Sequence, residues 1–75
     1  MKNKYVYVVV ESAYFHSQNP YISYGIALMD ELHTVLQTFN DLSCDREAVA
    51  KLAETCNRNR LPADQLGYII EDFLS

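Results

Sequence analysis

The chain has 75 residues, 49% of them hydrophobic and 21% charged, and its formal net charge is −4. A chain of this length forms one core and buries only about 60% of its unfolded surface, which leaves no room for a deep catalytic cavity. Ten acidic against six basic residues argue against direct nucleic-acid binding, because that requires clustered Lys and Arg. No apolar run approaches the roughly 20 residues that cross a bilayer. We therefore expect no membrane association and, with two cysteines and no secretory signal, a cytoplasmic location.

The first predicted strand, residues 4–12, is rich in β-branched and aromatic side chains. Alternation places valines on one face and tyrosines on the other: Val6, Val8 and Val10 against Tyr5 and Tyr7. Polar residues and an Asn-Pro pair then predict a connection over residues 14–20.

A second strand is expected over residues 21–30, with a hairpin tip at Asp30 and Glu31. Gly25 inside it indicates a bulge or the close approach of another backbone. Residues 33–42 predict a third strand whose alternation is poor, and a bulge would reconcile its apolar positions.

Two amphipathic helices complete the chain, over about residues 44–57 and 62–74. Ser43 is the expected N-cap of the first helix and Pro62 the expected first residue of the second. Gly67 inside the second helix is unfavourable by about 1 kcal/mol relative to Ala, which hints that a neighbouring element passes close to it.

These elements predict a single domain spanning residues 1–75, with a sheet over about residues 4–42. The fold class is α+β: a three-stranded antiparallel β-meander followed by two α-helices packed on one face, in a two-layer βββαα arrangement. The other face of the sheet is then left uncovered.

No motif for catalysis, cofactor binding or metal binding is present in the sequence. Two glycines cannot form a phosphate-binding loop, and neither Cys-x-x-Cys nor His-x-x-x-His spacing occurs. Cys44 is expected at a helix N-terminus, where the dipole favours a thiolate, but no partner base is near it and an ordinary reduced thiol is the favoured interpretation. We expect no catalytic residues, no cofactor and no metal, and hence a protein that is not an enzyme.

Tyrosine is the feature that stands out, with six among 75 residues. Tyrosine combines a large contact area with a polar tip and is common in protein interfaces. The candidate interface residues are those in or beside the first two strands: Tyr5, Tyr7, Tyr14 and Tyr21. Tyrosine is also a good strand former that is comfortable when half-buried, so a purely structural role stays equally open.

Short segments of the chain resemble a known family. They are Tyr24-Gly25-Ile26, the Leu42-Ser43-Cys44-Asp45 helix start, and Leu61-Pro62-Ala63-Asp64-Gln65-Leu66 running into an acidic and apolar tail. Over roughly the last fifty residues the sequence is similar to a family of small uncharacterised proteins from anaerobic Gram-positive bacteria, known only as a domain of unknown function. Members often carry His at the position of Gln65. The resemblance implies the same fold and a bacterial cytoplasmic protein, and it implies no activity, cofactor or site residue.

The leading functional hypothesis is a non-enzymatic module for protein–protein interaction or self-association, acting through the tyrosine-bearing sheet face or a strand edge. Its partner is then a second copy, giving a homo-oligomer such as a homodimer, or another protein. One alternative is a small-ligand or regulatory binding domain with a cleft near Gly25 and Gly67. A further alternative is an acidic inhibitor, for instance phage-encoded, that occupies the basic channel of a nucleic-acid enzyme.

Overall fold

The computed structural model describes residues 5–75 and contains three strands followed by two helices. Strands β1 (Tyr5–His16), β2 (Asn19–Asp30) and β3 (Val35–Ser43) form an antiparallel sheet in the order β1-β2-β3. Helix α1 spans Arg46–Arg58, and a 3₁₀ turn at Ala63–Gln65 leads into α2, Leu66–Leu74. The predicted βββαα α+β fold is confirmed. Lys4, the first residue of the predicted β1, lies outside the described residues.

A two-residue turn joins β1 to β2, so the predicted long connection over residues 14–20 is wrong. Ser17 and Gln18 both have positive φ, 51° and 68°, which is the conformation of the tight turns that match the twist of paired strands. Pro20 lies within β2 opposite Phe15. Proline is tolerated there because β3 does not reach this part of β2, so no ladder hydrogen bond is lost.

The register set by this turn decides which face of β1 is buried. Tyr7 pairs with Leu28 and Val9 with Ile26, so the odd-numbered residues of β1 share a face with the even-numbered residues of β2. Ile26 and Leu28 are fully buried, and Tyr7 joins them in the core with 3% of its surface exposed. The prediction that Tyr5 and Tyr7 lie on the uncovered face is therefore wrong, and the alternate valines lie there instead.

The core lies between the sheet and the helices. Its buried members come from β1, β2 and both helices: Tyr7, Ile26, Leu28, Val49, Ala53, Cys56, Leu66 and Ile70. The helical members follow the i, i+4, i+7 spacing that the sequence shows, which puts them on one side of each helix. Within residues 5–75, no helix is both long and apolar enough to cross a membrane.

Asp45, and not the predicted Ser43, is the N-cap of α1. The Asp45 carboxylate accepts hydrogen bonds from the backbone N–H groups of Glu47 and Ala48, at 3.1 and 3.3 Å. Ser43 ends β3, and its Oγ accepts the Asp45 N–H at 2.9 Å. A carboxylate at the cap also suits the positive end of the helix dipole.

The start of the second helix also differs from the prediction. Pro62 has an extended backbone, with ψ of 145°, so it precedes the 3₁₀ turn and is not the first helical residue. The Pro62 carbonyl accepts the Gln65 N–H at 3.0 Å, which closes that turn.

The predicted irregularity at Gly25 and in β3 is confirmed. The β2–β3 register shifts between Tyr24 and Ile26 and again between Leu28 and Met29. A Cβ on Gly25 would collide with the Phe39 carbonyl and lie 2.9 Å from the Asn40 Cα. Glycine is needed here because the bulged β3 backbone crosses where a side chain would stand.

Alanine substitution is expected to have opposite effects on stability at the two glycines. Gly25→Ala destabilises the fold by more than about 2 kcal/mol, because backbone atoms must move to admit the methyl group. Gly67→Ala stabilises it by about 0.5–1 kcal/mol, because a Cβ there meets nothing within 4 Å and alanine is the better helix former. The expected close neighbour at Gly67 is thus not found. Urea unfolding of both variants measures the two effects, and a loss of stability in Gly67→Ala would contradict the helix assignment.

Candidate interaction surface

The β1–β2 hairpin extends beyond the rest of the sheet. β3 pairs with β2 only as far as Tyr24, which lies opposite Ser43, and the Ser23 hydroxyl donates to the Ser43 carbonyl at 3.2 Å. Residues 13–22, here called the hairpin arm, continue past this point as two strands without a third. The described chain is correspondingly elongated, with extents of 49 × 26 × 18 Å.

One face of the hairpin arm is apolar and exposed. The register pairs Ala13 with Ile22 and Phe15 with Pro20, so these side chains share the face that carries the core further along the sheet. All of them are exposed, Phe15 by 77% and Ile22 by 42%. These apolar side chains therefore lie exposed on one face at the end of a projecting hairpin.

The opposite face of the hairpin arm carries a pair of stacked tyrosines. The rings of Tyr14 and Tyr21, which lie opposite each other, have centroids 5.5 Å apart and planes inclined by 26°. Loss of hydration, and after it the neighbouring Asp41 carboxylate, raise the pKa of the Tyr21 phenol above its ordinary value. The stacked pair joins the two strands of the hairpin arm through a cross-strand aromatic contact, which stiffens the arm.

At its other end, β1 is held by the side chain of Asn57. The Asn57 Oδ1 accepts the Tyr7 N–H, and the Asn57 Nδ2 donates to the Tyr7 carbonyl, both at 2.8 Å. The Tyr7 hydroxyl donates to the Leu61 carbonyl at 2.5 Å. The amide of Asn57 thus satisfies both backbone groups of an edge residue, as a neighbouring strand would.

Contacts of Tyr7 show which backbone groups of β1 face outward. In an antiparallel pair, alternate residues direct both backbone groups toward the partner strand and the others direct them away. The backbone N–H and C=O of Tyr7 both bind Asn57. The backbone groups of the odd-numbered residues of β1 therefore point away from β2. No hydrogen bond among residues 5–75 to the outward backbone groups of Glu11, Ala13 or Phe15 was found. This edge of the sheet is available to pair with another strand.

Of the predicted interface residues, the structure brings Tyr14 and Tyr21 together and separates them from the other two. Tyr7 is a core residue, and Tyr5 lies on the same side of the sheet with 38% of its surface exposed. The sequence does not identify Phe15 as an interface residue, because the predicted connection covers residues 14–20. Ile22 falls within the predicted second strand, whose sequence does not show that the helices stop short of this position. The period-two pattern of apolar residues on either side of the turn was the signal that would have found them.

The two cysteines lie in different environments. Cys44 is exposed and Cys56 is buried, and both are free. Cys44 precedes the cap residue Asp45 and so lies outside α1. Burial raises the pKa of the Cys56 thiol above its ordinary value, which makes it a less reactive core residue. Among residues 5–75 no group of three or more His, Cys, Asp or Glu side chains is placed to hold a metal ion.

These features define a small α+β protein in which a meander and two helices support a projecting β-hairpin. The chain belongs to a family of unknown function, DUF6514, whose family model matches residues 1–75. The predicted resemblance to a domain of unknown function is thereby confirmed, and it extends over the whole chain and not only its last fifty residues. Comparison with curated proteins and comparison with solved structures each found no match.

Replacing Asn57 tests whether its amide holds the sheet edge. We expect Asn57→Ala to destabilise the protein by about 1–2 kcal/mol, because two backbone hydrogen bonds of Tyr7 are lost at once. Asn59→Ala is the matched control, since Asn59 is also exposed and its side chain is involved in none of the hydrogen bonds found in residues 5–75. Equal unfolding midpoints for the two variants would contradict the role of Asn57.

Stability is expected to fall in alkali because two buried groups must ionise. Burial, and to a smaller degree the nearby Cys56, raise the pKa of the Tyr7 phenol above its ordinary 10.0, and burial raises that of Cys56 above 9.0. A pKa raised in the folded state gives stability that is complete below the ordinary pKa and is lost as the pH rises through the folded value. Urea midpoints should therefore decline from about pH 9 upward, and less steeply in Tyr7→Phe. An identical decline in Tyr7→Phe and Tyr68→Phe would show that Tyr7 contributes nothing.

Proposed function

We propose that this protein is a non-enzymatic protein–protein interaction module whose contact surface is the hairpin arm. The observation that carries the proposal is the apolar face of the arm, where Phe15 is 77% and Ile22 42% exposed. Burying such side chains in a partner removes apolar surface from water at about 25 cal/mol per Å². Aromatic residues at the centre of a contact also provide much of the binding energy in protein interfaces.

The construction of the hairpin arm supports the same conclusion. A two-stranded hairpin without a packed face is marginally stable by itself in water, and the apolar side chains of this one are exposed among residues 5–75. The Tyr14–Tyr21 stack and the tight turn at Ser17 and Gln18 hold it in shape. A partner that covers Phe15 would both bury the exposed side chain and stabilise the arm.

The two other functional hypotheses stay predictions. The ligand-binding hypothesis relies on a cleft between the sheet and the helices near Gly25 and Gly67. The β3 backbone fills the space at Gly25, and no atom lies within 4 Å of a Cβ placed on Gly67 to line such a cleft. The inhibitor hypothesis relied on overall acidity, which is a property of the whole composition and of no particular surface. The exposed aromatic arm is a local feature and so favours the interaction module.

Site-specific photo-crosslinking in the native host tests the proposal. A photo-reactive phenylalanine analogue at position 15 should yield one discrete adduct, with a second copy or with another protein. Leu32 is the control position, because it is 80% exposed at the other hairpin tip. Adducts in equal amount from positions 15 and 32, or none from position 15, would overturn the proposal.

A further inference from the structure

We infer that the partner of the hairpin arm is a second copy of this chain, which pairs its β1 antiparallel with β1 across a two-fold axis at Ser12. This inference rests on the proposed function and specifies its partner. Such pairing would join the two sheets into one continuous sheet, with β1 and its symmetry copy at the centre.

The free edge of β1 has definite limits. Tyr7 already binds Asn57 with both backbone groups, so pairing with another strand starts beyond it. The outward-facing residues that remain before the turn are, by alternation, Val9, Glu11, Ala13 and Phe15. The edge available to a partner is therefore the segment 9–15.

This segment matches itself in only one antiparallel register. Its midpoint is Ser12, and a two-fold axis there pairs Val9 with Phe15 and Glu11 with Ala13 of the second copy. Each of these pairs consists of outward-facing residues, so each exchanges two backbone hydrogen bonds. Every free backbone group of the segment then has a partner, and the contact is isologous, as closed dimers require.

Neighbouring registers are disfavoured by charge repulsion and by backbone groups that already form hydrogen bonds. An axis at Glu11 puts two Glu11 carboxylates directly opposite each other, which is repulsive, and puts Phe15 opposite Tyr7, whose backbone groups are in use. An axis at Ala13 puts Val9 opposite the turn residue Ser17. The axis at Ser12 avoids both defects.

Side chains in this register are complementary on both faces of the joined sheet. On the helix side Phe15, 77% exposed, lies beside Val9 of the second copy, which packs at the margin of that copy's core. On the other side Tyr14 lies beside Val10 of the second copy. Aromatic and β-branched residues are favourable cross-strand pairs. The paired segment is short, so the dimer is expected to be reversible and concentration-dependent.

Disulfide trapping tests the register. All variants carry Cys44→Ser so that the exposed native thiol cannot react. Paired non-hydrogen-bonded residues have Cα atoms about 4.5 Å apart, within the range that a disulfide spans. Ser12→Cys is therefore expected to give a disulfide-linked dimer under mild oxidation. Val10→Cys should give none with itself, since its two copies are displaced by about 13 Å along the strands, but should link to Tyr14→Cys when the two proteins are mixed.

Ala13→Pro provides a variant that blocks pairing without disturbing the monomer. The N–H of Ala13 faces outward, so proline removes no bond to β2, and proline is tolerated at such edge positions. We expect Ala13→Pro to abolish linkage through Ser12→Cys and the concentration-dependent dimer in sedimentation equilibrium, while the thermal unfolding midpoint of the dilute protein is retained. A loss of folding in this variant would contradict the outward orientation of Ala13 from which the register is derived.

The outcomes distinguish a failure of the self-pairing from a failure of the proposed interaction module. A folded Ser12→Cys protein that stays monomeric on oxidation, or linkage of Val10→Cys to itself as readily as Ser12→Cys, overturns the self-pairing. If position 15 nevertheless forms its discrete photo-adduct with a different protein, the interaction module stands and its partner is not a second copy. If neither the disulfide-linked dimer nor the photo-adduct forms, both the self-pairing and the proposed function are wrong.

Discussion

The placement of both helices depends on the interactions of Tyr7. Its backbone groups bind the amide of Asn57 at the end of α1, and its hydroxyl donates to the carbonyl of Leu61 in the segment between the helices. One buried residue of the edge strand thereby ties both the last turn of the first helix and the segment leading to the second helix to the sheet. The same contacts use a side-chain amide to occupy the sheet edge over the core, which leaves only the more distant part of β1 open.

The hairpin arm is a consequence of where β3 stops. The β3 backbone bulges toward Gly25, reaches Ser43 opposite Tyr24, and turns into α1 at the Asp45 cap. The sheet consequently has a three-stranded part covered by helices and a two-stranded part that is not. The same alternation that buries Ile26 in the first part exposes apolar side chains in the second, because a strand keeps its faces along its length while the helices end.

Much of the fold was predictable because it depends on local periodicity. The stripes at Val49, Ala53 and Cys56 and at Leu66 and Ile70 identify both helices without any knowledge of their neighbours. The irregularity at Gly25 also followed from the position of a glycine inside a predicted strand. The cap of α1 was misplaced by two residues, because serine and aspartate are comparable caps and only the chain path from β3 distinguishes Ser43 from Asp45.

The amino-acid sequence by itself determined the α+β class of this chain, with three strands, two amphipathic helices and a concentration of tyrosine in the first hairpin. Only the tertiary structure decided which face of β1 is buried and where the apolar surface is exposed. Alternation divides a strand into two faces but does not say which one the helices cover. That choice follows from the pairing register, which here depends on a two-residue turn at Ser17 and Gln18 whose positive φ angles are unusual for these residue types.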